Sequence, residues 1–241
     1  MTERQRLAGE VRKRAQWMAN DCFTLFRVRH DGLGNYGSTR GASQLEMGGG
    51  NFLMMTALMN VLGLLAKVYL RVNAPDDFST DEHRKTVKKS RALVAERLPE
   101  LKTTVRTGWT EWRLPRAGDC NEERAFQKLV TALSPTLDLG IPEDKAIEVW
   151  RKFRNYLTHM AWPDGSVAVY AVRGGSAKAE RELRSGGPPF HFLPDRGLWQ
   201  CNADRLTVMV MDITNWVCDV IMACPHDERI VGALGWMEPK D

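Results

Sequence analysis

The chain has 241 residues, 27% of them charged and 43% hydrophobic, with a formal net charge of +4, the proportions of a globular protein with a sizeable core. So mild a positive balance permits a nucleic-acid partner without demanding one and does not suggest a histone-like or purely electrostatic binder. The five cysteines, Cys22, Cys120, Cys201, Cys218 and Cys224, are odd in number and contain no CxxC pair, which argues against a disulfide scaffold and a structural zinc site.

Residues 3–29 are expected to form the first helix. Leu7, Val11, Ala15, Met18, Cys22 and Leu25 recur at steps of three and four and make one apolar stripe. Thr2 can cap it, and Arg4, Arg6, Arg12, Lys13 and Arg14 give it a basic outer face, read as solvated. The N-terminus is charged, with no signal-peptide pattern, so a cytoplasmic location is expected. A glycine-rich connection over 31–50 follows. Its Gly32-Leu33-Gly34-Asn35-Tyr36-Gly37 matches GxGxxG in form, but a dinucleotide fingerprint needs a strand before it and a helix after it. An amphipathic helix precedes this one, so the match is loop composition.

Residues 51–72 are expected to form the most apolar helix, with no charge between Met47 and Lys67. A membrane span needs about 20 apolar residues. Thr56, Asn60, Gly63 and Lys67, with no aromatic belt, favour a buried central helix instead. Residues 79–99 read as a charged helix opened by a Ser79-x-x-Glu82 capping box. Arg84, Lys85, Lys88 and Lys89 on it form the densest basic patch. It is a candidate RNA-phosphate contact or a solvated cover of the core, and the sequence leaves both readings open. Residues 102–119 are expected to be extended or irregular.

Two further helices are expected at 121–134 and 142–162, the second opened by Pro142 with Glu143 and Asp144 in its first turn. At about 100° per residue, Ala146, Val149, Trp150, Phe153, Leu157 and Met160 share one arc of the second helix. Arg154, Asn155, Thr158 and His159 fall opposite, together with Glu148, Arg151 and Lys152. Strands are expected at 166–172, 188–193 and 198–201, the first two separated by a glycine-bounded loop. Asn202 is placed to cap a long apolar helix ending near Met222, in which Asp212, Asn215 and Asp219 argue against a membrane. Cys218, Cys224 and His226 form the tightest cluster of metal-ligand types, with Cys218 read as a core residue.

The run Arg154-Asn155-Tyr156-Leu157-Thr158-His159 carries the chemistry. It places a permanent cation, an amide and an imidazole, which ordinarily titrates near pH 6.5, within a turn and a half. Those are the groups that RNA cleavage without a metal needs: a base for the ribose 2′-hydroxyl and a fixed positive charge for the phosphorane. The run resembles the R-x4-6-H motif of the HEPN superfamily, helical domains that include many ribonuclease toxins. Chance alone gives roughly one or two such spacings in a chain of this composition. A second match, Arg184 to His191, crosses Ser-Gly-Gly-Pro-Pro-Phe, which cannot be helical. The triple Gly48-Gly49-Gly50 entering an uncharged helix also resembles the second helix of larger HEPN-like proteins.

The resemblance implies a mostly α fold, one HEPN-like antiparallel helical bundle over 1–241. A basic helical insertion at about 73–119 and a β-hairpin insertion at about 163–201 would elaborate it, the latter a small antiparallel β-element between the last two core helices. It implies Arg154 and His159 as the catalytic pair, Asn155 as the residue positioning them, no cofactor and no metal. Cleavage would leave a 2′,3′-cyclic phosphate. The implied partners are RNA, a second copy of the chain whose motif completes a composite cleft, and an antitoxin or other regulatory protein, in toxin–antitoxin or antiviral defence. The rival reading is a non-catalytic HEPN-like dimeric scaffold or RNA-binding module.

Overall fold

The computed structural model describes residues 1–31, 49–73, 122–156, 167–170, 183 and 185–237. The expected basic helix with Arg84, Lys85, Lys88 and Lys89, the 102–119 stretch, most of the glycine-rich connection and His159 lie outside the described residues. The architecture is mostly helical with a small three-stranded sheet.

Helix α1 spans Glu3–Asp31. It opens on a reciprocal capping box: the Gln5 backbone N–H donates to Thr2 Oγ1 at 3.3 Å, and the Thr2 N–H donates to Gln5 Oε1 at 2.8 Å. Leu7, Val11, Ala15 and Cys22 are buried as the stripe requires. Its basic face is not simply solvated. Arg4 pairs with Asp227 at 2.7 Å and donates to the Cys224 carbonyl at 2.9 Å, Arg12 donates to Asn215 Oδ1 at 3.3 Å, and Arg14 donates to the Met237 carbonyl. These arginines tie α1 to two C-terminal helices, so the solvated-face reading is corrected there.

Helix α2, Gly49–Asn73, is the central element. It packs on α1, on α3 (Glu122–Leu133) and on both C-terminal helices, α5 (Ala203–Ala223) and α6 (Asp227–Met237). Met54, Met55, Leu58, Met59, Val61, Leu62, Leu65 and Ala66 are all sealed from solvent, which accounts for an almost uncharged sequence. The stretches Leu53–Asn73 and Ala203–Ala223 are each long and apolar enough to cross a membrane, and most of each is buried against the rest of the fold.

The expected 142–162 helix is a composite. Glu143–Lys145 is a 3-10 turn, α4 covers Ala146–Trp150, and Arg151–Tyr156 winds as a π-helix. A π-turn closes i→i+5 hydrogen bonds where an α-helix closes i→i+4. The wheel holds for Ala146, Val149, Trp150 and Phe153, all buried. Leu157, Thr158, His159 and Met160 of that wheel lie outside the described residues. Arg151 binds Glu123 of α3 through a two-point fork, 2.9 Å from Nε and 2.7 Å from Nη2.

Strands β1 (Val167–Tyr170), β2 (Phe190–Leu193) and β3 (Leu198–Asn202) form a sheet in the order β1-β3-β2. The expected purely antiparallel element is corrected: β2 and β3 pair antiparallel, Phe190 opposite Cys201, but β1 runs parallel to β3, Val167 opposite Trp199. Only β2–β3 is a hairpin, turned by Pro194–Arg196 and by Gly197 at φ 60°. The sheet precedes α5 as expected, yet α5 is not the last core helix, because α6 follows it and buries Ile230, Ala233, Leu234 and Met237. Asn202 caps α5, its side chain accepting from the Arg205 N–H at 3.0 Å.

Gly140 joins the helical part to the sheet. It sits at φ +74°, and a Cβ there would come 2.2 Å from the Phe190 carbonyl oxygen and 2.7 Å from Pro188 Cβ, beside the Phe190 N–H bond to the Leu139 carbonyl. Both the backbone conformation and the contact demand glycine. Gly140→Ala is expected to cost about 1–3 kcal/mol, read as a lowered urea midpoint with an unchanged helical circular dichroism signal.

Candidate functional site

One face of the bundle holds a cleft of about 490 Å³ lined by α1, α2, the N-terminus of α3, the π-segment and α6. Each wall follows from helical spacing. Arg14, Trp17 and Met18 stand at i, i+3, i+4 on α1, and Asn60, Gly63, Leu64 and Lys67 at i, i+3, i+4, i+7 on α2. At Gly63 the Trp150 ring packs where a side chain would begin, 3.0 Å from the position of a Cβ. Arg154, half-buried, reaches the cleft from the π-segment, and Trp236 closes it from α6.

The lining holds three cations, Arg14, Lys67 and Arg154, against one carboxylate, Glu122, which is ion-paired to Lys67. Arg14 also lies 3.8 Å from Glu10. Trp17 is 80% exposed, and Trp236 carries the Arg71 guanidinium 4.8 Å over its ring. The cleft therefore offers positive charge, one amide and two indoles.

Of the sequence-predicted site residues, Arg154 is placed in this cleft. Asn155 belongs to the π-segment backbone beside it, and His159 lies outside the described residues, as do Arg84, Lys85, Lys88 and Lys89. Sequence reasoning passed over Trp17 and Trp236. Trp17 had a signal: it falls off the apolar stripe of a charged helix, where a large exposed aromatic is unusual.

The side chains of the cysteine–histidine cluster turn to backbone and carboxylate partners, and Cys224 Sγ meets His226 only at its carbonyl. Cys218 donates to the Ala8 carbonyl, Cys224 reaches the Val72 carbonyl, and His226 lies 3.3 Å from Glu228. Burial pushes the Cys22 thiol up to about 12, with neighbouring Asp21 adding to the rise, and burial raises Cys201 and Cys218 as well. Among the described residues no three His, Cys, Asp or Glu side chains gather as a metal-ligand set.

A second, smaller pocket of about 230 Å³ is lined by Pro142, Lys145, Glu148, Phe192 and Trp199. Glu148 is its charged hub, 3.0 Å from Lys152 and accepting from Trp199 Nε1 at 3.3 Å. The Lys152 hydrogen bond is the main cause holding its carboxyl below the ordinary range, against a smaller opposing effect of burial. A depressed carboxylate adds stability that is complete above its unfolded value of about 4.3 and is lost as the pH falls through the folded value. With the side chain 38% exposed, solvent screening keeps the effect under about 1 kcal/mol. Glu148→Gln should lower the urea midpoint slightly at pH 7, and the gap to the parent protein should narrow as the pH falls below the ordinary carboxylate range.

No family model, curated protein or solved structure matches this chain.

Proposed function

We propose that the chain is a metal-independent endoribonuclease of the HEPN type, acting in the cytoplasm in toxin–antitoxin or antiviral defence. The observation that supports this most is the placement of Arg154, which the motif makes the phosphorane-stabilising residue, in a cleft shared with Arg14 and Lys67. In this reading His159 takes the proton from a ribose 2′-hydroxyl. The oxygen attacks the adjacent phosphorus, and the bond to the 5′-oxygen breaks to leave a 2′,3′-cyclic phosphate. Arg154 donates to the non-bridging oxygens as their charge grows. The departing 5′-oxygen needs a proton, which the His159 of a second copy supplies across a twofold axis.

The test is cleavage of total RNA in excess EDTA by the parent protein and by His159→Ala. Cleavage by the parent that persists under chelation and is lost in the variant supports the reading. Equal cleavage by both proteins, or complete loss under EDTA, refutes it.

A further inference from the structure

We infer that the cleft between α1 and α2 is a one-nucleotide binding site, in which Trp17 stacks on an unpaired base and Arg14, Lys67 and Arg154 hold its phosphate. This deepens the ribonuclease reading and rests on it only for the source of the nucleotide, an RNA strand rather than a free nucleotide.

Three observations carry it. The first is size: about 490 Å³ falls in the range that takes a ligand as large as a nucleotide. The second is charge. The lining carries Arg14, Lys67 and Arg154, of which Lys67 pairs with Glu122 and Arg14 with the neighbouring Glu10, and two of the three are guanidiniums, whose planar forks of several N–H groups suit phosphate oxygens. The third is the indole of Trp17. It is 80% exposed on a helix whose Leu7, Val11 and Cys22 are buried in the core, so core packing does not account for it. A base has a π-face whatever its identity, and stacking on an aromatic side chain is the common way proteins hold single-stranded nucleic acid. An acidic peptide would use the cations but leave Trp17 idle. Asn60, on the same α2 stripe as Lys67, offers both a donor and an acceptor, the complement a base edge presents.

The experiment separates binding from cleavage. A 2′-O-methyl hexanucleotide has no 2′-hydroxyl to attack, so it reports binding alone, and adenosine monophosphate serves as the free-nucleotide probe. Tryptophan fluorescence quenching and calorimetry are followed for the parent chain, for Trp17→Ala and for Trp17→Phe. The hexanucleotide should bind the parent protein, Trp17→Ala should weaken it about tenfold or more, and Trp17→Phe should restore most of the loss. Trp17 is exposed, so both variants should keep the parent urea midpoint. Tighter binding of the hexanucleotide than of adenosine monophosphate assigns the site to RNA, whereas equal affinity assigns it to a free nucleotide, and either result sustains the site. Hexanucleotide affinity unchanged in Trp17→Ala overturns the inference, as does binding of poly-glutamate with neither nucleotide probe bound. Binding without any cleavage of unmodified RNA would keep the site and remove the ribonuclease assignment, so the two failures are told apart.

Discussion

Replacing Arg154 by alanine should lower kcat for RNA cleavage about 100- to 1,000-fold, the usual loss when one donor to a developing oxyanion is removed, and leave the fold in place. The side chain lies half-buried in the cleft, whereas the core below it is built by Phe153 and Trp150. Its loss therefore opens space that solvent fills. Arg154→Lys keeps the charge but gives up the planar two-point fork, so it should recover only part of the activity. KM should move less than kcat, because a group that acts on charge present only in the transition state contributes little to ground-state binding. Single-turnover kinetics on a labelled RNA, with urea unfolding of each variant, reads both quantities. Unchanged kcat, or a loss that tracks a fall in stability, would remove Arg154 from the chemistry.

What was legible in the sequence was local. Thr2 with Gln5, and Asn202 with the Arg205 N–H, cap their helices through side chains three residues from the groups they satisfy. The stripe from Leu7 to Cys22 and the uncharged run of α2 announce burial because periodicity and burial share one cause. Helix α6 was equally legible and went unread. Asp227 and Glu228 occupy its first turn, and Ile230, Ala233, Leu234 and Met237 keep helical spacing, but Gly232 and Gly235 mask the pattern as loop composition.

The remainder depends on partners distant along the chain. Alternation in Val167–Tyr170 identifies a strand, yet that it lies parallel to β3 follows from its taking the edge of β3 opposite β2, which its own residues do not encode. The π-turn at Arg151–Tyr156 has no local signature, since its residues also suit an α-helix, and the Arg151–Glu123 fork belongs to the tertiary setting. The cleft draws its lining from five separate segments. Sequence singled out Arg154, but Trp17 gains meaning only once α1 lies beside α2.

Trp150→Ala should be the most destabilising single change, about 3–5 kcal/mol, the range for emptying a large aromatic from a core. The side chain is 1% exposed and lies 4.8 Å, centroid to centroid, from Phe126. Against a typical total of about 5–15 kcal/mol, such a loss would drop the urea midpoint steeply, and cleavage would fall with it because α4 sets the position of the π-segment bearing Arg154. The contact between Trp150 and Gly63 gives a sharper version of the test. A Cβ at Gly63 would sit 3.0 Å from Trp150 Cη2, so Gly63→Ala requires a ring only 1% exposed to give by a few tenths of an ångström. Mid-helix alanine is otherwise favoured over glycine by about 1 kcal/mol. In the parent chain the clash should win and Gly63→Ala should destabilise. In a Trp150→Phe background the smaller ring retreats from the contact, the helix preference should prevail, and the same substitution should stabilise. A double-mutant cycle by urea unfolding reads the change of sign directly, and additive effects would show that Gly63 and Trp150 are not packed as described.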